Sequence, residues 1–156
     1  MKINLVSKSE TVQILKSVSD DWKLELPKIK NLKVYYIDDD AQIIIGDGIK
    51  ILNVDGCYIP LLSEDAILEK LANVIVDMGA VKFMCNGANV MRPGIKKYTE
   101  FKKGDIVCIS EESQNKFLAV GKAIIDSSEL ESISKGEIIK NMHYISDRYW
   151  EIYKTL

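Results

Sequence analysis

The sequence predicts an α+β protein built of two parts, a small helix-and-sheet module followed by a compact β-barrel or sandwich. Two observations lead to this fold class. Apolar runs between residues 32 and 62 are separated by Asp47-Gly48 and Asp55-Gly56. An Asp-Gly pair between apolar runs is a strong hairpin signal, because both residues of the turn need positive φ. Beyond residue 88, short apolar segments alternate with polar turns, which favours a barrel or a sandwich.

A capped helix and a four-stranded meander are predicted at the start of the chain. Ser7 and Glu10 have the spacing of a capping box, and apolar residues follow at helical spacing, so we predict a helix over residues 8–19. The segments that come next are rich in β-branched and aromatic residues, as strands are. They are predicted as strands over residues 32–38, 41–46, 49–54 and 57–62.

A second helix is predicted over residues 63–73. Ser63 is placed to cap it, acidic residues occupy its first turn, and an apolar stripe follows. Helix, meander and helix together make an N-terminal α+β module over residues 1–72. The second domain then covers residues 73–156.

The second domain is predicted to begin with a strand at Val74–Val76 and a short helix. Asp77 can cap this helix, and Gly87 is placed to end it in the left-handed conformation. Residues 127–136 are predicted as a short helical excursion. The remaining predicted strands lie at residues 88–91, 105–110, 118–126 and 137–145.

Composition indicates a cytoplasmic protein that does not enter a membrane. The chain has 156 residues, of which 47% are hydrophobic, and a net charge of −2. No apolar run approaches the roughly 18 residues of a membrane span, and the N-terminus lacks the features of a secretory signal. The net charge does not attract nucleic acid, but residues 92–103 hold a local basic patch. Its basic residues are Arg92, Lys96, Lys97, Lys102 and Lys103, with Glu100 as the one acid.

Metal, cofactor and catalytic motifs are absent from the sequence. The three cysteines, Cys57, Cys85 and Cys108, are widely spaced, and His143 is the one histidine. This arrangement lacks the clustered ligands of a zinc site, and Cys85 and Cys108 are better read as small apolar residues. Glycine-rich phosphate-binding motifs and a nucleophile elbow are also missing. We therefore expect no cofactor, no metal and no enzymatic activity.

The segment MCNGANVMRPGI, residues 84–95, is the candidate binding surface. Pro93 fixes its own φ, and Gly94 permits a turn or the close approach of another backbone. Exposed amides near Gly87 and Gly94 can donate to phosphate oxygens, and Arg92 can contact phosphate with two prongs or stack on a base. Lys96 and Lys97 would add point charges. The alternative is a corner of the barrel that needs glycine and proline for its shape alone.

Aromatic residues are dense in the tail, residues 141–153. Such residues can stack on bases, but more often they close a core. We expect the core role for Trp150. His143 and Tyr144 stand at a predicted strand end and are therefore expected at the surface.

Six ordered segments of the second half carry a family resemblance. They are VDMGAV (76–81), NGANVMRPGI (86–95), FKKGDIVCI (101–109), LAVGKA (118–123), SSELE (127–131) and KGEIIKNMHYISDRYW (135–150). In this order they resemble a PUA domain, the small RNA-binding module named for pseudouridine synthases and archaeosine transglycosylases. An N-terminal α+β module before a PUA domain that ends in HYISDRYW resembles the archaeal relatives of the eukaryotic MCT-type translation factors.

The resemblance implies a PUA pseudo-β-barrel that contacts RNA through its short helix, its glycine loop and its final strand. The residues that match these three elements are Lys82, Asn86, Gly87, Ala88, Asn89, Met91, Arg92, Pro93, Gly94, Ile95, His143 and Tyr144. The family pattern often has glycine before the aspartate of the tail, where this chain has Ser146 before Asp147.

The resemblance also implies a non-catalytic role in translation. The partners would be RNA, either tRNA or rRNA, the small ribosomal subunit, and a protein of the density-regulated type. A different reading makes the chain an RNA-targeting accessory module for a tRNA or rRNA modification enzyme. The 72 residues before the second domain leave little room for a catalytic domain within this chain.

Overall fold

The first part of the chain forms a five-stranded antiparallel sheet with a helix packed on it. The structure, a computed structural model, describes residues 1–156. The strands follow one another in the sheet in chain order. They are β1 (Lys2–Leu5), β2 (Lys33–Asp38), β3 (Ala41–Gly46), β4 (Ile49–Val54) and β5 (Cys57–Pro60). The predicted meander is confirmed, since Gly48 and Gly56 both have positive φ in the two hairpin turns.

Helix α1 (Lys8–Trp22) begins where the capping pattern placed it. The Ser7 hydroxyl accepts a hydrogen bond from the Glu10 amide at 3.2 Å. The helix runs three residues past the predicted end, because Val18 and Trp22 on its inner face are buried against the sheet.

Helix α2 (Asp65–Leu68) is a single turn, so the predicted helix over residues 63–73 is wrong in length. Ser63 does not cap it. The residue at the cap position is Glu64, whose carboxylate accepts from the Lys50 amide at 2.9 Å instead of capping α2. The chain leaves the helical path because residues from Ala72 onward pair in the second sheet.

Strand β1 was not predicted. All four of its side chains are exposed, so its sequence carries no alternation that would mark a strand. Its backbone pairs with β2, from Lys2 opposite Tyr36 to Leu5 opposite Lys33.

The second part of the chain forms a six-stranded, nearly closed sheet. Its strands are β6 (Ala72–Val76), β7 (Val90–Met91), β8 (Ile95–Tyr98), β9 (Ile106–Glu111), β10 (Phe117–Ala123) and β11 (Glu137–Tyr144). Their order in the sheet is β7-β11-β10-β9-β6-β8. Strands β6 and β9 pair in parallel, and the other pairs are antiparallel. The 3₁₀ helix Arg92–Gly94 joins the two edge strands directly. This architecture confirms the predicted α+β class, an N-terminal module followed by a barrel-like sheet.

Helices α3 (Met78–Met84) and α4 (Arg148–Tyr153) complete the second part. The predicted helical excursion is a 3₁₀ helix over Ser127–Ser132. Two elements of this second part, like β1 in the first, were not predicted. Strand β8 lies in the basic stretch, and α4 lies in the aromatic tail.

The two parts share one hydrophobic cluster. Ile106, Cys108, Val120 and Tyr149 of the second part join the buried core of the first. A second cluster fills the interior of the six-stranded sheet. The division of the chain between residues 72 and 73 stays a prediction, and the shared cluster indicates that the two parts are packed as one body. A helix that spans a membrane needs about 20 mostly apolar residues, and none of the helices in this structure meets this requirement.

The thiol of Cys108 is expected to be inert in the folded protein. Its side chain is fully buried, and burial raises the pKa of this thiol to about 12. Since the thiolate is the reacting form, iodoacetamide at about pH 8 should leave Cys108 unmodified until denaturant is added. Peptide mass spectrometry measures this. Alkylation of Cys108 in the native protein as fast as that of half-buried Cys85 would contradict it.

Candidate nucleic-acid interface

The start of helix α3 is hydrogen-bonded to the end of the 3₁₀ helix at residues 92–94. The Asp77 side chain caps α3, as predicted, by accepting from the Ala80 amide at 2.9 Å. The Asp77 amide donates to the Gly94 carbonyl, also at 2.9 Å. These bonds fix the position of α3 relative to the segment that joins β7 to β8.

The glycine turn after α3 requires glycine at residue 87. Gly87 has a φ of +88°, which confirms the predicted left-handed conformation. A Cβ atom at this position would also lie only 3.0 Å from Cε1 of Tyr144. The half-buried Tyr144 ring therefore packs directly against the turn, and a larger residue at position 87 would have to displace this ring.

Asn141 on β11 holds both ends of the glycine turn. Its Nδ2 donates to the Met84 carbonyl at 3.1 Å and to the Ala88 carbonyl at 3.0 Å. Its amide donates to Oδ1 of Asn89 at 2.9 Å, and Nδ2 of Asn89 donates to Glu137 at 3.2 Å. Sequence reasoning missed Asn141, because β11 also contains Glu137, Lys140 and His143 and no local signal distinguishes the amide from these polar residues. These bonds order the turn before any ligand arrives.

A groove of about 710 Å³ runs between α3 and the 3₁₀ helix. Its walls are mostly apolar or small. Phe83 and Met91 line it with 60% and 46% of their surface exposed. Neighbouring exposed apolar side chains are typical of interaction surfaces. Sequence reasoning had not singled out Phe83. The predicted residues that line the groove are Ala88, Asn89, Met91, Pro93 and Gly94.

Four cations of the predicted set have no acidic partner. Lys82 is exposed on α3, and Lys96 and Lys97 are exposed on β8. None of these lysines, nor Arg92, forms a salt bridge. The Arg92 Nε donates to the Leu130 carbonyl at 2.9 Å, and its two terminal nitrogens have no hydrogen-bond partner in the protein. These side chains remain free to contact an anion.

The expectation that His143 lies at the surface is wrong, because the side chain is fully buried. Its Nε2 accepts from the Leu62 amide at 3.1 Å, and its Nδ1 lies 2.9 Å from Oδ2 of Asp147. An unprotonated Nε2 requires that Nδ1 carry the proton and donate to Asp147. His143 therefore links the two parts of the protein and cannot reach an RNA.

The side chain of Ile95 is also buried. It is 8% exposed and packs in the core of the six-stranded sheet. The resemblance matched Ile95 to a binding loop, but the residue begins β8 and its side chain has a packing role.

The tail motif HYISDRYW is organised around Asp147. This buried carboxylate caps α4 by accepting from the Trp150 amide at 2.8 Å, and it accepts from the Tyr144 amide at 2.9 Å. Ser146 before it has a φ of +70°. A left-handed conformation favours glycine at this position, which is the residue that the resemblance led us to expect there.

Comparisons with known proteins identify the family of this chain. The family model of the PUA domain matches residues 72–145. An uncharacterized protein of Methanocaldococcus jannaschii is 38% identical over 80% of this chain and 78% of its own length. Translation machinery-associated protein 20 of Saccharomyces cerevisiae is 30% identical over 81% of each chain. The malignant T-cell-amplified sequence 1 homolog of Drosophila melanogaster is 30% identical over 82% of this chain and 75% of its own.

A solved structure shows the same arrangement of both parts. The crystal structure of a hypothetical protein from Pyrococcus horikoshii superposes with a TM-score of 0.81 and 28% identity, over 97% of this chain and 99% of that one. The nearly closed sheet, with α3 and the glycine turn at one end, is thus a PUA domain. The chain belongs to the family of translation machinery-associated protein 20 and malignant T-cell-amplified sequence 1, together with their archaeal relatives.

Proposed function

We propose that this protein binds RNA of the translation apparatus at the groove between α3 and the 3₁₀ helix, and that it catalyses no reaction. The observation that carries the proposal is the combination of an apolar groove, an ordered glycine turn and four unpaired cations on one domain. PUA-domain membership and relatives named for the translation machinery support an RNA-binding role.

In this proposal, apolar side chains beside the groove contact the bases of the RNA, and the lysines around it contact the phosphates. The exposed Phe83 ring and the Met91 side chain offer a surface on which an unpaired base can stack or pack. Lys82, Lys96 and Lys97 supply positive charge for the phosphate backbone. Because Asn141 orders the turn in advance, little conformational entropy is lost on binding.

The proposed RNA is tRNA or rRNA, with the small ribosomal subunit as the larger assembly and the cytoplasm as the location. The relative named translation machinery-associated protein 20 supports this setting. A protein of the density-regulated type is the proposed protein partner. Co-sedimentation with purified small subunits tests the ribosomal part. Retention of tRNA together with a modification enzyme, without subunit binding, would favour the accessory-module function instead.

Charge removal at the three lysines should weaken RNA binding and reduce its dependence on salt. For each of Lys82→Ala, Lys96→Ala and Lys97→Ala, we expect the slope of log K against log salt to fall by about 0.7–0.9, the share of one phosphate contact. Fluorescence anisotropy with a single-stranded RNA oligonucleotide at several salt concentrations measures this slope.

Lys116→Ala is the matched control, since Lys116 is exposed and unpaired but lies in the turn between β9 and β10. It should leave affinity and slope unchanged. Three folded lysine variants with wild-type affinity and slope would remove this surface from the RNA site.

A further inference from the structure

A second groove lies on the N-terminal module, away from the PUA domain. It has a volume of about 580 Å³ and runs between α1 and the extended segment 24–31. Its floor is aliphatic, with half-buried Leu15 and Leu26 and buried Ile29. Val12 on its rim is 68% exposed.

Strand β1 of the same module also carries exposed apolar side chains. Apart from the C-terminal Leu156, the large apolar residues that are exposed fall into two groups. The N-terminal module carries Met1, Ile3, Leu5 and Val12. The groove between α3 and the 3₁₀ helix, called the RNA groove below, is bordered by Met78, Phe83 and Met91. Strand β1 is a free sheet edge. Clustered exposed apolar side chains mark an interaction surface, whereas single ones do not.

The charged side chains that line the groove are all positive. Lys8, Lys16, Lys28 and Lys30 line it, and no aspartate or glutamate does. Lys16 has a neighbouring carboxylate, Asp20, at 3.9 Å, in a pair that is strongly exposed on both sides. The other three lysines form no salt bridge. An occupant must therefore combine apolar side chains with negative charge.

We propose that this groove binds an acidic amphipathic segment of a partner protein, with its apolar side chains on the aliphatic floor and its carboxylates facing the four lysines. Binding of an amphipathic segment in an apolar groove is a recurrent mode of peptide recognition. The proposal concerns a different surface from the RNA groove and does not rest on the function proposed for it.

RNA fits this groove less well than an acidic peptide does. The lining contains no aromatic ring and no arginine, the side chains on which bases stack. A phosphate backbone could satisfy the lysines, but it would leave the aliphatic floor exposed to water.

A second copy of this chain also fits poorly. A symmetric pairing of the same surface would bring four lysines against four lysines. The acidic turns that contain Asp39, Asp40 and Asp55 could supply negative charge, but the hollow between these turns is lined by no apolar residue. A second copy thus lacks the combination of features that the groove requires.

Titration of the isotope-labelled full-length protein tests the proposal by NMR. The probe is a synthetic peptide of about 14 residues, with leucines along one helical face and glutamates elsewhere. The control peptide has the same composition with the leucines spread around the helix. We expect amide shifts in α1 and segment 24–31 with the first peptide, and weaker binding of the second. The proposal would be overturned if neither peptide bound, if both peptides bound equally well, or if the amide shifts lay outside this groove.

Two variants with altered exposed side chains sharpen the test. Val12→Glu and the double variant Lys8→Glu with Lys16→Glu should each weaken peptide binding at least about tenfold, and Lys116→Glu should not change it. The RNA oligonucleotide should still bind all three variants, which separates this test from that of the RNA groove. Shifts in α1 caused by RNA but not by peptide, or self-association in sedimentation that Val12→Glu abolishes, would assign the groove to another occupant and refute the proposal.

Discussion

Gly121→Ala is expected to destabilise the protein by more than about 3 kcal/mol, or to prevent folding. Gly121 lies in β10 between β9 and β11, at an irregularity in the strand register. A Cβ atom there would overlap the backbone carbonyl oxygen of Lys140 and lie 2.6 Å from Cγ2 of Ile139. A backbone atom in a central strand cannot move aside as the end of a flexible side chain can, so the ladder itself would have to shift.

The free energy of unfolding in urea measures this effect, and Gly48→Ala is its control. Gly48 has a φ of +82°, but a Cβ atom there meets nothing within 4 Å. Its replacement therefore costs only backbone strain, about 1–2 kcal/mol. If Gly121→Ala costs no more than Gly48→Ala, close approach of the Lys140 backbone is not the reason for glycine in β10.

His143→Phe should cost about 2–4 kcal/mol of the free energy of unfolding. Phenylalanine has a ring of similar size but no nitrogen. It would leave the Leu62 amide without an acceptor in the buried junction, and it would remove one of the donors to Asp147. Buried polar groups that lose their partners carry their full desolvation penalty.

His143→Gln is the matched variant. Its side-chain amide reaches about as far as Nε2 of the imidazole, so it can restore an acceptor for the Leu62 amide but not the bond to Asp147. We expect an intermediate loss in the same urea titration, and a single unfolding transition if the shared cluster makes the two parts one cooperative unit. Wild-type stability of His143→Phe would show that these hydrogen bonds contribute nothing to the junction.

These two predictions concern the residues that position the groove between α3 and the 3₁₀ helix. Asp147 ties the end of β11 to α4, and His143 ties the same end to the N-terminal module. The neighbouring residues of β11 are Tyr144, which supports the glycine turn, and Asn141, which holds its two ends. A change at His143 is therefore expected to disturb the turn as well, by displacing the strand that carries it.

Much of the fold follows from local signals in the sequence. The Asp-Gly turns, the Ser7 cap and the Asp77 cap each satisfy a backbone requirement within a few residues, so they could be recognised without the rest of the molecule. Gly87 is a similar case, because its left-handed conformation ends a helix whose start was already recognised.

Elements that depend on distant partners were missed or misplaced. Strand β8 pairs with β6 across about twenty residues of chain, and β1 pairs with β2 across about thirty. The predicted helix over residues 63–73 was too long because its last residues pair with β9. In each segment, hydrogen bonds to a strand that is distant in sequence determine the backbone conformation. Local secondary-structure propensity does not reveal such pairing.

The amino-acid sequence alone determined the fold class, the meander, the two helices capped by Ser7 and Asp77, and the glycine turn, because each of these is a short-range match between residue type and backbone. Only the tertiary structure decided which candidate residues a ligand can reach. It buried His143 and Ile95, exposed Phe83, placed Asn141 behind the turn and opened a lysine-lined groove beside α1. The exposure of a side chain depends on which residues from other parts of the chain pack against it, and these contacts form only when the sheets and helices pack in the tertiary structure.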